Sequence, residues 1–139
     1  MQLTKYTDFS LRLLIYAALH PDRRVTITEV ADTYRASKNH FVKIVHRLVQ
    51  LGYLTSAKGR NGGVSLAISP ANICIGKVVR DMEATLDLVD CNATACPILP
   101  ACKLKGALAQ ATQAFLSSLD NITLEDLTQN QTDLLRLIE

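Results

Sequence analysis

Cys91, Cys96 and Cys102 fall within twelve residues, in the order Cys91-Asn92-Ala93-Thr94-Ala95-Cys96-Pro97-Ile98-Leu99-Pro100-Ala101-Cys102. Thiols this close together cross-link, react or hold a soft metal. Pro97 and Pro100 keep the segment out of a helix, so these are not ordinary helix-core positions. Zinc knuckles favour C-x2-C, in which two sulfurs chelate one small tetrahedral ion. The wider C-x4-C-x5-C gaps here suit an iron-sulfur cluster, whose iron corners lie apart and need a loop that wraps around them. A zinc staple, a redox disulfide and plain buried cysteines stay open on spacing alone. Three cysteines leave a cluster one ligand short. Cys74 offers a thiolate, but it stands between Ile73 and Ile75, where a small apolar residue belongs. No histidine follows His46, so the second half has no imidazole to give, and a carboxylate or a water remains. Asp8, in the first turn of the first expected helix, complements the helix dipole and could also reach the cluster of a partner subunit.

The elements that must position these groups are bounded by length and charge. At 139 residues with 48% apolar side chains, the chain supports one compact domain, or one small domain with a helical appendage. No apolar run approaches the roughly 18 residues of a membrane-spanning helix, and the opening Met1-Gln2-Leu3-Thr4-Lys5 does not resemble a signal segment. A cytoplasmic location is therefore expected, where four cysteines are poor candidates for a permanent disulfide framework. The charge is segregated. Residues 1–65 carry 10 Lys/Arg against 4 Asp/Glu, whereas residues 66–139 carry 5 against 9. A basic half joined to an acidic half fits a phosphate-binding module attached to a module that does not bind phosphate.

Apolar periodicity predicts a helix over Thr7–Leu19, with Thr7 as its cap, and Pro21 ending it. A second helix is expected over Ile27–Tyr34, where Thr26 and Glu29 form a capping-box pattern. Ser37 can cap a third, which ends near Gly52. This third helix is two-sided: Phe41, Ile44, Val45 and Leu48 share one face, while Asn39, Lys43, His46, Arg47 and Gln50 share the other. A helix that reads DNA needs this division, with Arg, Lys, Asn or Gln toward the groove and an apolar back.

Two short strands are expected at residues 53–57 and 64–68, joined by Lys58-Gly59-Arg60-Asn61-Gly62-Gly63. Asn61-Gly62 suits a tight turn with positive φ, and two cations at a hairpin tip have little folding purpose. They make the hairpin a wing that touches the DNA backbone or minor groove. The glycine spacing does not fit a nucleotide-phosphate loop. The expected contact set is Thr28, Ser37, Lys38, Asn39, His40, Lys43, Arg47, Lys58, Arg60 and Asn61. Beyond the wing, a short helix is expected over Gly76–Glu83, then the cysteine loop over Leu86–Ala101. Leu104, Leu108, Ala111, Phe115 and Leu119 next form a long helical stripe, more apolar than so small a chain can cover, which predicts a dimer seam. Thr123 with Asp126 resembles a last helix cap, and a weakly ordered tail is expected up to Glu139.

The fold class is thus mainly α: a winged helix-turn-helix region with a β-hairpin wing at 1–69, a short helix and cluster loop at 70–102, and a dimerisation helix with a tail at 103–139. Three blocks of sequence, Met1-Gln2-Leu3-Thr4 with Tyr6-Thr7-Asp8, the Lys58–Gly63 wing, and the spaced cysteines ending in Pro100-Ala101-Cys102-Lys103-Leu104, resemble the winged-helix, iron-sulfur-binding bacterial repressors, and among them the nitric-oxide-sensing branch. The resemblance implies a homodimer bound to double-stranded operator DNA. It also implies a cluster, 4Fe-4S with 2Fe-2S as the alternative, held by Cys91, Cys96 and Cys102, with Asp8 of the other subunit as the oxygen ligand, and nitric oxide as the signal that destroys it. A related branch that regulates cluster assembly places a histidine three residues after its third cysteine; that position here is Lys105. No C-x2-C redox pair, nucleotide loop or catalytic triad is visible. An enzyme is not expected, and a small iron-sulfur electron carrier is the weaker rival to a zinc- or thiol-based repressor.

Overall fold

The computed structural model describes residues 1–93 and 95–139; Thr94, within the cysteine loop, lies outside the described residues. Helix α1 spans Lys5–Leu19. It starts two residues before the expected Thr7, because Thr4 Oγ1 accepts the Thr7 amide at 3.2 Å and so takes the cap position. Thr7 itself is fully buried. Helix α2 spans Ile27–Thr33 and opens with the expected capping box: Glu29 N–H donates to Thr26 Oγ1 at 3.2 Å, and Thr26 N–H donates to the Glu29 carboxylate at 3.0 Å.

Arg35 follows α2 at φ 52°. The Ala36 amide donates to Ala31 O at 2.9 Å, and the Arg35 amide to Asp32 O at 3.3 Å, which together make a Schellman cap. A side-chain-bearing residue in that conformation costs about 1–2 kcal/mol, and the cost turns the chain sharply into α3, Lys38–Gln50. Ser37 stands at the α3 cap position, but its side chain makes no capping hydrogen bond. Helix α3 ends in a second Schellman cap, with Gly52 at φ 82° and the Tyr53 amide donating to Leu48 O at 2.9 Å.

Strands β1, Leu54–Ala57, and β2, Gly63–Leu66, pair antiparallel from Leu54↔Leu66 to Ala57↔Gly63. Ile68, expected in the second strand, lies beyond it and is exposed. Helix α4 spans Ile75–Met82 and α5 spans Lys103–Asp120, with a 3-10 turn at Leu99–Ala101 leading into α5. The segment after α5 is not a loose tail. Thr123 and Asp126 exchange hydrogen bonds at 2.8 and 3.2 Å, a 3-10 turn follows at Asp126–Thr128, and α6 covers Gln131–Ile138. Leu124 explains the order. It is fully buried, and its amide donates to Ile73 O at 2.9 Å, which pins the chain after α5 onto the stretch before α4.

One apolar cluster holds these elements together. Phe41, Ile44 and Leu48 of α3 are fully enclosed with Leu14, Val25, Val30, Ile73, Val78 and Leu124, each large side chain contributing about 1.5–3 kcal/mol by leaving water. Helix α5 meets this core near its C-terminal end, where Leu119 packs against it. Leu116 is buried, while Leu104 and Phe115 are exposed, so the apolar stripe ahead of Leu119 is left largely uncovered within the chain. The architecture is mainly helical, with a two-stranded hairpin set against a helix-turn-helix, as the periodicity predicts.

Candidate nucleic-acid interface and cysteine loop

The outer face of α3 is strongly one-sided. Phe41, Ile44, Val45 and Leu48 face the core, whereas Lys38, Asn39, Val42, Lys43, His46, Arg47 and Gln50 are exposed. The helix is fixed from behind: Tyr6 of α1 donates its hydroxyl to Lys43 O at 3.3 Å. Of the expected contact set, Lys38, Asn39, Lys43 and Arg47 therefore share one surface. Ser37, at the cap position before α3, and Thr28, in the first turn of α2, are also exposed.

His40 is placed differently. Its ring packs edge-on to Tyr6, at 6.1 Å between centroids, and to Phe9, at 5.5 Å. Its Nε2 is enclosed there without a hydrogen-bond partner. Val42 was not anticipated from the charge pattern. It is half exposed among the cations, where a branched methyl suits the thymine methyl of a major groove.

The wing loop, residues 58–62, carries Lys58, Arg60 and Asn61 exposed at its tip. It closes through Gly62 N–H donating to Gly59 O at 2.9 Å. The positive φ expected at Asn61-Gly62 falls instead on Gly59, at 98°, and Gly63, at 136°. The loop is longer than a two-residue turn, so the reversal centres on Arg60-Asn61 and the glycines flank it.

Helix α4 connects this head to the rest of the chain through three side chains at its C-terminal end. Asp81 accepts the Tyr53 hydroxyl at 2.6 Å and the Lys77 ammonium at 2.7 Å. Burial pushes the Asp81 carboxyl up, but the Lys77 and Tyr53 hydrogen bonds outweigh it and hold it below the usual carboxylate range. Burial and then the Asp81 bond push the Tyr53 phenol well above its ordinary value. Arg80 makes a two-pronged pair with Asp120 at the end of α5, at 2.5 and 2.7 Å. Glu83 accepts the Thr4 amide at 2.6 Å, at the start of α1.

The cysteine loop runs from α4 to α5. Asp90 accepts the amides of Asn92 and Ala93 at 3.1 and 3.0 Å, which folds the stretch just around Cys91. Cys91, Cys96 and Cys102 are half-buried free thiols, and Cys102 occupies the cap position of α5. A cavity of about 380 Å³ separates the loop from α5, with Cys91 on one wall and Lys105, Leu108 and Thr112 on the other. The donor chemistry of three unpaired soft thiols on one short loop fits a thiolate-held cluster. As folded, however, no group of three or more His, Cys, Asp or Glu side chains among the described residues is placed to hold a metal ion. Asp8 is occupied in its own subunit, its Oδ1 accepting from Arg12 Nε at 2.8 Å on an open surface. Cys74 lies away from the loop, capping α4, with its thiol 3.6 Å from Asp120 O and 3.7 Å from Asp120 Oδ1.

Among the described residues, no helix is long and apolar enough to cross a membrane. The fold has close counterparts among solved structures. The chain is similar to CymR, the global cysteine regulator of B. subtilis, at 22% identity over 94% of this chain and 98% of that one, with a TM-score of 0.74. It is similar to the oxidised form of Staphylococcus aureus CymR at 21% identity over 93% and 97% of the two chains, with a TM-score of 0.74. It is also similar to T. potens IscR at 21% identity over 94% and 88%, again with a TM-score of 0.74. At such identities the likeness speaks for the shared winged-helix fold. The sequence itself carries the membership: residues 3–130 match the family described as Rrf2, iron-dependent transcriptional regulator, and a match of that extent, on a head with a polarised α3 and a cationic wing, means that the chain belongs to the Rrf2 family of transcriptional regulators.

Proposed function

We propose that the chain is a homodimeric, nitric-oxide-sensing repressor of the NsrR type. Helix α3 enters the major groove of operator DNA, with Asn39 reading a base edge and Lys38, Lys43 and Arg47 on phosphates or bases. Lys58, Arg60 and Asn61 of the wing reach the backbone or minor groove, and Thr28 and Ser37 complete the contact set, while His40, packed on Tyr6 and Phe9, seats the start of α3. Residues 1–69 form the DNA-binding region, residues 70–102 the cofactor region, and residues 103–139 the dimerisation helix and the segment after it, with the uncovered stripe of α5 facing a second copy.

Cys91, Cys96 and Cys102 hold an iron-sulfur cluster, 4Fe-4S or 2Fe-2S, with Asp8 contributed across the dimer as the weaker oxygen ligand. Such a cluster, when bound, supplies iron that nitric oxide attacks. The chain's own part is mechanical. The loop is anchored between α4 and α5, and Arg80, Asp81 and Glu83 tie α4 to α5, to Tyr53 beside the wing and to the start of α1. A loop that is braced holds these ties together; a loop that relaxes lets the two heads of a dimer change spacing on a two-fold operator. A coupling of about 1–3 kcal/mol changes affinity roughly 5- to 150-fold, enough for a switch.

The observation that carries this reading is the set of three half-buried free thiols on one loop between α4 and α5. Anaerobic purification, iron and sulfide analysis, a visible spectrum, and DNA binding before and after nitric oxide test it. A brown protein that releases DNA on exposure to the gas is expected. A colourless protein, or binding indifferent to nitric oxide, would overturn the reading.

A second reading, a regulator that responds through its thiols alone or through a zinc staple, is supported by the free state of all four cysteines and by the similarity of the fold to CymR, the global cysteine regulator of B. subtilis. Zinc analysis with thiol titration before and after peroxide separates it from the first.

A further inference from the structure

We infer that Arg24 is a DNA-backbone contact held beside the wing by a single β-bridge, an inference that rests on the DNA-binding reading above. The hairpin has an extra member. Val25 bridges Val64 in antiparallel fashion, donating its amide to Val64 O at 2.9 Å and accepting the Val64 amide at 2.8 Å. Val25 and Val64 are both buried, so the bridge is locked from below by the core, and residue 24 is held at a fixed place beside β2.

Gly63, the first residue of β2 and the exit of the wing loop, is where Arg24 passes. A Cβ on Gly63 would stand 2.6 Å from Val25 O and 3.2 Å from Arg24 Cβ. The missing side chain thus opens the ground on which the Arg24 stem lies, next to the loop that carries Lys58 and Arg60. Arg24 is exposed, and its backbone is further fixed by Arg23, whose guanidinium donates to Arg24 O at 3.1 Å.

The neighbouring cation is spent differently. Arg23 pairs with Glu29 at 2.7 Å, inside the capping box of α2, so its charge is committed to the fold. Arg24 forms no ion pair among the described residues and has no cap to serve. Three exposed cations, two at the wing tip and one beside its base, then belong to the same wing. That arrangement fits the phosphate line of a duplex, and a guanidinium on a backbone fixed by the Val25–Val64 bridge loses less entropy on binding than one on a free loop.

The test is the salt dependence of binding to a short random-sequence duplex, read beside binding to a duplex that the protein selects from a randomised pool. Arg24→Gln should weaken both by a similar factor, on the order of 3- to 10-fold, and reduce the slope of log affinity against log salt by about one. Arg24→Lys should restore the slope, and the melting temperature should stay unchanged in both variants. If the unsubstituted protein binds with a salt-dependent affinity and Arg24→Gln keeps the same slope, this inference falls alone. If the unsubstituted protein binds neither duplex, the DNA-binding reading falls and takes this one with it.

Discussion

Tyr53 donates its hydroxyl to Asp81 at 2.6 Å across 28 residues of sequence, which joins the residue at the mouth of the wing to the C-terminal end of the helix that leads into the cysteine loop. The neighbouring Arg80 turns the other way, to Asp120 at the end of α5. Two consecutive side chains therefore give α4 a grip on both the head and the long helix. In the proposed switch, α4 is the element that would carry a change in the loop to the head.

Removal of the Tyr53 hydroxyl tests the first grip. Tyr53→Phe keeps the buried ring but leaves Asp81 with Lys77 alone, and should destabilise the protein by about 1 kcal/mol at neutral pH. The pH dependence follows from the direction of each shift. The folded Asp81 carboxyl lies below its ordinary value, so its contribution is present above the usual carboxylate range and is lost as pH falls through the folded value. The Tyr53 phenol lies above its ordinary value, so its contribution is present at neutral pH and is lost only in strong alkali. Urea denaturation at neutral pH and at acid pH should show the cost of Tyr53→Phe shrinking toward zero in acid; a constant cost would contradict the pairing.

The second grip depends on a glycine. A side chain on Gly76 would overlap the Asp120 carboxylate and come within 2.9 Å of the Asp120 amide. Gly76→Ala must displace the end of α5 or strain α4, and should cost about 1–3 kcal/mol, the scale of overpacking. Asp120→Asn breaks the Arg80 pair on an open surface and should cost clearly less than Gly76→Ala. Thermal melts of the two variants check the contrast; equal losses would mean that the close approach is not the constraint.

What the residues disclose before folding is mostly local. The periodicity of Phe41, Ile44, Val45 and Leu48 points to the buried face of α3, and Thr26 with Glu29 to the start of α2, because a helix repeats its environment every turn. Thr4 and Thr7 stand three residues apart, and both suit a cap; burial of Thr7 decides between them. His40 reads as part of the cationic face, yet Tyr6 and Phe9, some thirty residues earlier, take its ring. The Arg80–Asp120 pair spans 40 residues and leaves no periodic trace. The apolar stripe of α5 is plain in the sequence, but a stripe does not say whether its own chain covers it. The spacing of three cysteines shows a ligand type, while their convergence depends on a loop whose shape is not periodic at all.

Base reading and backbone holding should separate by mutation. Asn39 has an amide on the exposed face of α3, able to make paired hydrogen bonds to adenine. Asn39→Ala should reduce discrimination between selected and random duplexes by about 1–3 kcal/mol while leaving the salt slope intact. Arg60→Ala should lower affinity for both duplexes and reduce the slope by about one, with discrimination nearly unchanged. Fluorescence anisotropy over a range of salt concentrations measures both quantities. A loss of slope in Asn39→Ala would move that residue from the base to the backbone.

The cysteines divide in the same manner. Cys74 stands at the N-cap position of α4, its thiol turned to Asp120 and outside the loop that carries the other three, so Cys74→Ser should leave iron content and visible colour unaltered. Replacing Cys91, Cys96 and Cys102 together by serine removes the soft donors, and their partial exposure means that little packing is lost with them. That triple variant should melt within a few degrees of the unsubstituted protein. It should also purify without iron or sulfide and bind DNA with an affinity that nitric oxide does not change. Iron and sulfide retained at unsubstituted levels would show that these thiols hold nothing, and loss of iron on Cys74→Ser would bring the fourth cysteine into the ligand set in place of Asp8.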